Sequence, residues 1–275
     1  MPAALPVFAE NTWDARFSGL KEARLMPELA LEELLIIAIA LGVGGLAKGM
    51  TGLGLPMVAV PVLAGFLGVE RAVMTMVLPI LVLNIWLMWT LRDRRNAVPE
   101  IPWMVGATIP GIFLGASILF LASERLLAIV LGLWIFAYLV FRALHPTMQL
   151  EGNSRKRVAP LVGFGAGSMQ AATGISAPIL VPFVDALKLE PRTYVYMVAT
   201  VFTAQTITHF LVMLGVGAYS VEQLTESFFA VIPAILFAQI GSRLRDHVDA
   251  ELFGRITRVI MFVMACRLLY GAYMS

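Results

Sequence analysis

Charge is scarce in this sequence, and where it is missing excludes a soluble fold. Charged residues make up 14% of the 275-residue chain, against roughly a quarter in soluble domains. Residues 34–47 (followed at once by Lys48), 72–91, 101–123, 126–141, 158–184 and 227–242 contain no Asp, Glu, Lys or Arg. About 20 apolar residues cross a bilayer as a helix, so the chain reads as an all-α, polytopic helical membrane protein. The net charge of +2 is too small to point to nucleic acid, and no such partner is expected. A single cysteine, Cys266, rules out an intramolecular disulfide, and its place in an apolar helix reads as packing. The three histidines, His145, His209 and His247, are too far apart to suggest a metal site, and no metal or cofactor is expected. The spans also lack a nucleophile, metal ligands or a paired acid and base, so the chain is not expected to be an enzyme. Residues 1–30 are mixed in charge and have no basic start leading into a short apolar core, so a cleaved signal peptide is not expected.

What the chain does have is a glycine-rich interruption, twice. Lys48-Gly-Met-Thr-Gly-Leu-Gly-Leu-Pro56 breaks an apolar stretch over 31–68, and Gln170-Ala-Ala-Thr-Gly-Ile-Ser-Ala-Pro178 breaks another over 158–187. At an offset of 122 residues Lys48 aligns with Gln170, Thr51 with Thr173, Gly52 with Gly174, Gly54 with Ser176 and Pro56 with Pro178. At an offset of 121, Arg71 aligns with Arg192 and Asn84 with Gln205. Spans are expected at 71–91, 99–122 and 125–142 after the first break, and at 192–216, 225–242 and 252–274 after the second. The organisation is therefore an interfacial tail over 1–30, in which Trp13 and Phe17 reach headgroups, a repeat over 31–142, a basic linker over 143–157 and a second repeat over 158–275. Each repeat is a broken or hairpin segment followed by three transmembrane helices.

Thirty-eight residues of helix would be about 57 Å long, too long for one crossing of a core about 30 Å thick. A hairpin that returns to its starting side fits better. It also gathers more Lys and Arg on one side, among them Arg92, Arg94, Arg95, Arg142, Arg155 and Arg157, than a single crossing does. The rule that basic loops stay in the cytoplasm then favours inverted repeats. Trp89 and Trp103 bracket the basic loop where an interfacial belt would put them.

Non-helical backbone at membrane depth is tolerated only inside protein or beside a polar cavity. Pro56 and Pro178 sit where a second helix begins, a position that suits proline. The N–H groups there, with the helix dipole, attract an anion, and glycine lets it come close. The candidate substrate site is Lys48, Thr51, Gly52 and Gly54 with Gln170, Thr173, Gly174 and Ser176, flanked by Asn84 and Gln205. Lys48 has two open readings: contact with an anionic substrate, or a lysine that snorkels or stabilises helix carbonyls. Asn84 and Gln205 contact ligand or hold helices together. His209, on one face with Gln205 and Thr208, is a candidate for proton coupling, set against a hydrogen-bonded structural role. Gly111 and Gly115, at GxxxG spacing like Gly45 and Gly49, read as close helix packing. Arg267 reads as a headgroup anchor.

The two motifs, Gly42-Val-Gly-Gly-Leu-Ala-Lys-Gly-Met-Thr-Gly-Leu-Gly-Leu-Pro56 and Gly163-Phe-Gly-Ala-Gly-Ser-Met-Gln-Ala-Ala-Thr-Gly-Ile-Ser-Ala-Pro178, resemble those of the TauE/SafE family of sulfite exporters. The resemblance implies a multi-pass protein of the bacterial cytoplasmic (inner) membrane that exports sulfite, or an organosulfonate linked to taurine and sulfoacetate metabolism. A secondary carrier working by alternating access is the expected mechanism, with an anion channel or an importer on the same scaffold as the alternatives. The partners expected are the small anionic substrate, the lipid bilayer and, as a candidate assembly, a second copy in a homodimer.

Overall fold

The computed structural model describes residues 31–52, 54–144, 154–244 and 250–274. Contacts divide the chain between Leu34 and Leu35, and Leu35–Ser275 packs as one compact unit. The expectations for residues 1–30, including Trp13 and Phe17, for most of the 143–157 linker and for His145 and His247 fall outside the described residues. Ten α-helices follow in order: α1 (Leu31–Thr51), α2 (Leu55–Leu67), α3 (Val69–Thr90), α4 (Ile101–Leu121), α5 (Glu124–Leu144), α6 (Ser154–Thr173), α7 (Ala177–Ala186), α8 (Pro191–Gly215), α9 (Val221–Leu244) and α10 (Ala250–Met274). Among the described residues there is no strand. Among the described residues seven helices (α1, α3, α4, α5, α8, α9 and α10) are long and apolar enough to cross a membrane, so this is a polytopic helical membrane protein. The order long helix, break, short helix and three long helices occurs twice.

The breaks are hairpin turns. In one continuous helix Gly44 and Ala59 would stand about 22 Å apart. Instead a Cβ built on Gly44 would lie 2.8 Å from the Leu55 carbonyl oxygen and 3.1 Å from Ala59 Cβ. In the second half a Cβ on Gly165 would lie 3.2 Å from Ile179 Cδ1. The short helices α2 and α7 therefore fold back on α1 and α6. With 13 and 10 residues they reach about 20 and 15 Å, too short to span. Most of their residues, and all at the starts next to the breaks, are buried in protein, which is what irregular backbone at membrane depth requires. Each carries one internal proline, Pro61 and Pro182, whose missing donor and ring weaken the helix where a long one would continue.

Packing between the halves is reciprocal. α1 lies on α9: Cβ atoms on Gly45 and Gly49 would meet the carbonyl oxygens of Ala234 and Ala238 at 2.9 and 2.1 Å, and one on Gly241 would meet that of Leu46 at 2.4 Å. α6 lies on α4 in the same way, with Gly111 against the Phe164 oxygen (2.2 Å) and Gly115 against that of Ser168 (2.0 Å). The GxxxG glycines are thus close-packing positions, where backbones meet and no side chain fits. α3 and α8 pack together at the centre, around Met74, Met76, Met197 and Phe202. α5 and α10 pack on each other at the outside and present Leu126, Leu133, Phe262 and Val263 outward.

Each short helix is also held from the other half. Arg142 on α5 pairs with Asp185 on α7 (3.1 Å). Arg267 on α10 donates to the Gly65 carbonyl on α2 (2.8 Å) and lies 4.0 Å over the Phe66 ring. Arg267 is therefore a tie to α2, where a headgroup anchor was expected. Cys266 is exposed, where packing was expected. α10 buries the stripe Met261, Ala265, Leu268 and Ala272, and one residue past Ala265 a side chain turns about 100° away from it.

Candidate functional site

Both breaks end their first helix by the same device. Gly52 (φ +82°) and Gly174 (φ +74°) take the left-handed conformation, which suits glycine and ends helices as an αL cap. The Gly52 N–H donates to the Lys48 carbonyl (2.7 Å) and the Gly174 N–H to that of Gln170 (2.9 Å). The aligned pair Lys48 and Gln170 thus sits one turn before each turn of chain. The tips reach across the halves: a Cβ on Gly52 would meet Val195 on α8, and one on Gly174 would meet Val60 on α2 and Val73 on α3. At Gly54 a Cβ would stand 2.3 Å from Ala47 Cβ, so the tight return of α2 on α1 demands glycine there.

The side chains beyond these caps form two polar clusters that correspond through the repeat. In the first, Lys48, 3% exposed, donates from Nζ to Asn84 Oδ1 (2.6 Å), and Asn84 Nδ2 donates to the Ile80 carbonyl (2.8 Å). The ammonium also lies 5.8 Å from the centre of the Phe202 ring, within reach of a cation–π attraction. No carboxylate pairs with it among the described residues. In the second cluster the Ser176 hydroxyl stands 2.8 Å from Gln205 Oε1 and 3.0 Å from Gln170 Oε1. Gln205 Nε2 donates to Thr108 Oγ1 (3.3 Å) and Thr108 in turn donates to the Gly163 carbonyl (2.9 Å). So the aligned pairs, Lys48 with Asn84 and Gln170 with Gln205, meet in each half: directly in the first and through Ser176 in the second. Phe202, which faces Lys48, lies one turn before Gln205 on α8.

Ser176 occupies the N-cap position of α7, where serine is among the best caps, yet makes no side-chain cap bond. Its hydroxyl is turned to the two glutamines. α2, preceded by Gly54, has no side-chain cap either. Both short helices thus start without a side chain on their first N–H groups, the donors that a helix cannot satisfy internally. The threonines are less available than the motif implies. Thr51 is exposed and donates to the Ala47 carbonyl (2.7 Å). Thr173 is buried, donates to the Met169 carbonyl (2.7 Å) and accepts from Ile175 N–H (3.4 Å).

His209, read as either a proton carrier or a hydrogen-bonded structural histidine, makes no hydrogen bond at Nε2 among the described residues. That atom is buried, and the residue lies one turn beyond Gln205 on α8. Thr108 and Phe202 escaped the sequence reading. Phe202 was findable three residues before Gln205, but nothing about Thr108 in α4 marks it. A further polar group also went unread: Arg71 donates to Glu226 from Nε (3.0 Å) and Nη2 (2.8 Å), and Thr75 donates to the same carboxylate. This pair ties α3 to α9.

An all-helical, multi-pass scaffold with two buried polar hairpin tips is the architecture of a membrane transport protein. A family model described as sulfite exporter TauE/SafE matches residues 36–268, most of the chain. The protein belongs to the sulfite exporter TauE/SafE family, which makes it a membrane transporter of sulfur anions in a lipid bilayer. No curated protein and no solved structure matches the chain.

Proposed function

We propose that the protein is a secondary transporter that exports a small sulfur-containing anion, sulfite or an organosulfonate, across the bacterial cytoplasmic membrane. The observation that carries this reading is Lys48: an ammonium 3% exposed whose hydrogen-bond partner is a neutral amide. Lys48 stands in the last turn of α1, buried with no carboxylate partner among the described residues, and such a membrane charge costs up to about 2.5–3.5 kcal/mol on insertion scales, which an arriving anion offsets. Asn84 takes one of the three ammonium donors and two remain. The uncapped starts of α2 and α7 add partial positive charge and free N–H groups. Gly52, Gly54 and Gly174 make the tight turns that bring these helix starts to the tips, with Gln170, Ser176 and Gln205 as the polar wall from the second half.

Export by alternating access fits two halves that each hold the other's hairpin and ride on a glycine interface. The halves are inverted in the membrane in this reading, with the basic Arg92–Arg95 loop in the cytoplasm. His209 is its candidate proton carrier. Thr51 and Thr173 act through their carbonyl bonds, holding the tips.

Sulfite flux from proteoliposomes of purified protein tests the assignment. Lys48→Met should lower flux at least about tenfold, the weight of one charge-assisted hydrogen bond, with elution on size exclusion unchanged. Wild-type flux in a well-folded Lys48→Met protein would overturn the site. Slow, saturable flux marks a carrier and single-channel currents a channel.

A further inference from the structure

We propose that the site accepts its substrate as a singly charged anion, so that a doubly charged one is carried only after taking up a proton. The inference rests on the transport reading of this site and adds the charge state of the cargo. It follows from a charge census of the interior. Among the described residues, the buried Lys, Arg, Asp and Glu are Lys48, Glu100 and Glu226. Glu226 is matched by Arg71 at Thr75, nine residues from Asn84 along α3, or about 14 Å. Glu100 precedes α4, at its N-cap. Among side chains, the hairpin tips therefore hold one net positive charge.

The second half repeats the geometry without the charge. Where the first half has Lys48, the second has Gln170. Its neighbours, Ser176, Gln205 and Thr108, are neutral and already bonded to one another. A monoanion beside Lys48 brings the site to neutrality. A dianion leaves one buried negative charge with no charged side chain to match it, met only by the partial charges of the two helix starts, and an incompletely matched charge is costly in a low-dielectric interior. That difference corresponds to about 100-fold in affinity. Hydrogensulfite and a simple sulfonate pass this filter. Sulfate and a sulfonate carrying a second, ionised carboxylate do not.

Methanesulfonate and sulfate are a close pair for the test, because both are tetrahedral and of similar size, with one methyl in place of one charged oxygen. Sulfite counterflow is measured in proteoliposomes with each as competitor. Methanesulfonate is expected to compete about 100-fold better than sulfate. Gln170→Lys places a second cation at the repeat-equivalent position and is expected to shift the preference toward sulfate. Equal competition by the two anions, with sulfite flux intact, overturns the charge filter and leaves the transport reading standing. A well-folded Gln170→Lys protein with unaltered preference also overturns it. Absence of any sulfite flux in the wild type overturns the transport reading, and the filter with it.

Discussion

Gly115→Ala should damage this protein far more than its size suggests, and Gly106→Ala on the same helix should not. A Cβ on Gly115 would stand 2.0 Å from the Ser168 carbonyl oxygen, 2.8 Å from that residue's carbonyl carbon and 2.9 Å from Ala171 Cβ. The first two are backbone atoms, which cannot rotate away. Ordinary carbon–oxygen contact begins near 3.3 Å, so α4 and α6 must separate by about 1.3 Å. The movement opens the neighbouring glycine contacts and stretches the 2.9 Å bond from Thr108 to the Gly163 carbonyl, which releases the residue that holds Gln205. Overpacking of this kind costs about 1–3 kcal/mol and the lost hydrogen bond about 1 kcal/mol, offset by up to about 1 kcal/mol of helix propensity. A net loss of about 1–3 kcal/mol corresponds to a Tm lower by several degrees. At Gly106 an added Cβ meets nothing within 4 Å, so its variant should match or slightly exceed the wild type. Thermal unfolding in detergent measures both. Indistinguishable Tm values for the two variants would refute the close-packing argument for the α4–α6 interface.

Three further substitutions probe other parts of the molecule. Glu226→Gln removes the carboxylate that Arg71 and Thr75 share; because the Arg71 side chain is 27% exposed, the loss should be about 1–3 kcal/mol, below that of a fully buried pair. Asp93→Asn, in the exposed Arg94 and Arg192 pairs, should stay within about 0.5 kcal/mol, and a chemical denaturation series that ranks these two in the opposite order contradicts the burial argument. Gly174→Ala forces an L side chain into φ +74° against Val60 and Val73, costing about 1–2 kcal/mol in backbone strain alone. Gly174→Ala vesicles should show sulfite flux reduced more than the Tm shift explains, and wild-type flux would remove the hairpin tip from the site.

The repeated pattern was legible along the chain because it is written in residue types that backbone geometry demands. Gly52 and Gly174 are needed for a left-handed cap, and Pro56 and Pro178 suit a helix start. Gly111 and Gly115 were readable because a GxxxG stripe has one common use in membranes. Thr108 and Glu226 were not legible. Their partners lie 97 and 155 residues away, and no periodicity links positions brought together by packing of the two halves. Cys266 was misread for a related reason: in a helix apolar all round, hydropathy cannot tell the face that meets protein from the face that meets lipid.

The amino-acid sequence by itself determined the class of the molecule, the six long apolar helices that follow the two breaks, the breaks themselves and the asymmetry between Lys48 and Gln170. These follow from local rules, the length of an apolar run and the conformations open to glycine and proline, which act before any long-range contact forms. Only the tertiary structure decided that Lys48 meets Asn84, that Ser176 turns from capping α7 toward Gln170 and Gln205, that the threonine hydroxyls serve carbonyls of their own helices, and that His209 Nε2 is left without a hydrogen-bond partner among the described residues. Hydrogen-bond partners are chosen by which buried groups lie within about 3 Å of one another, and that distance is set by how whole helices pack.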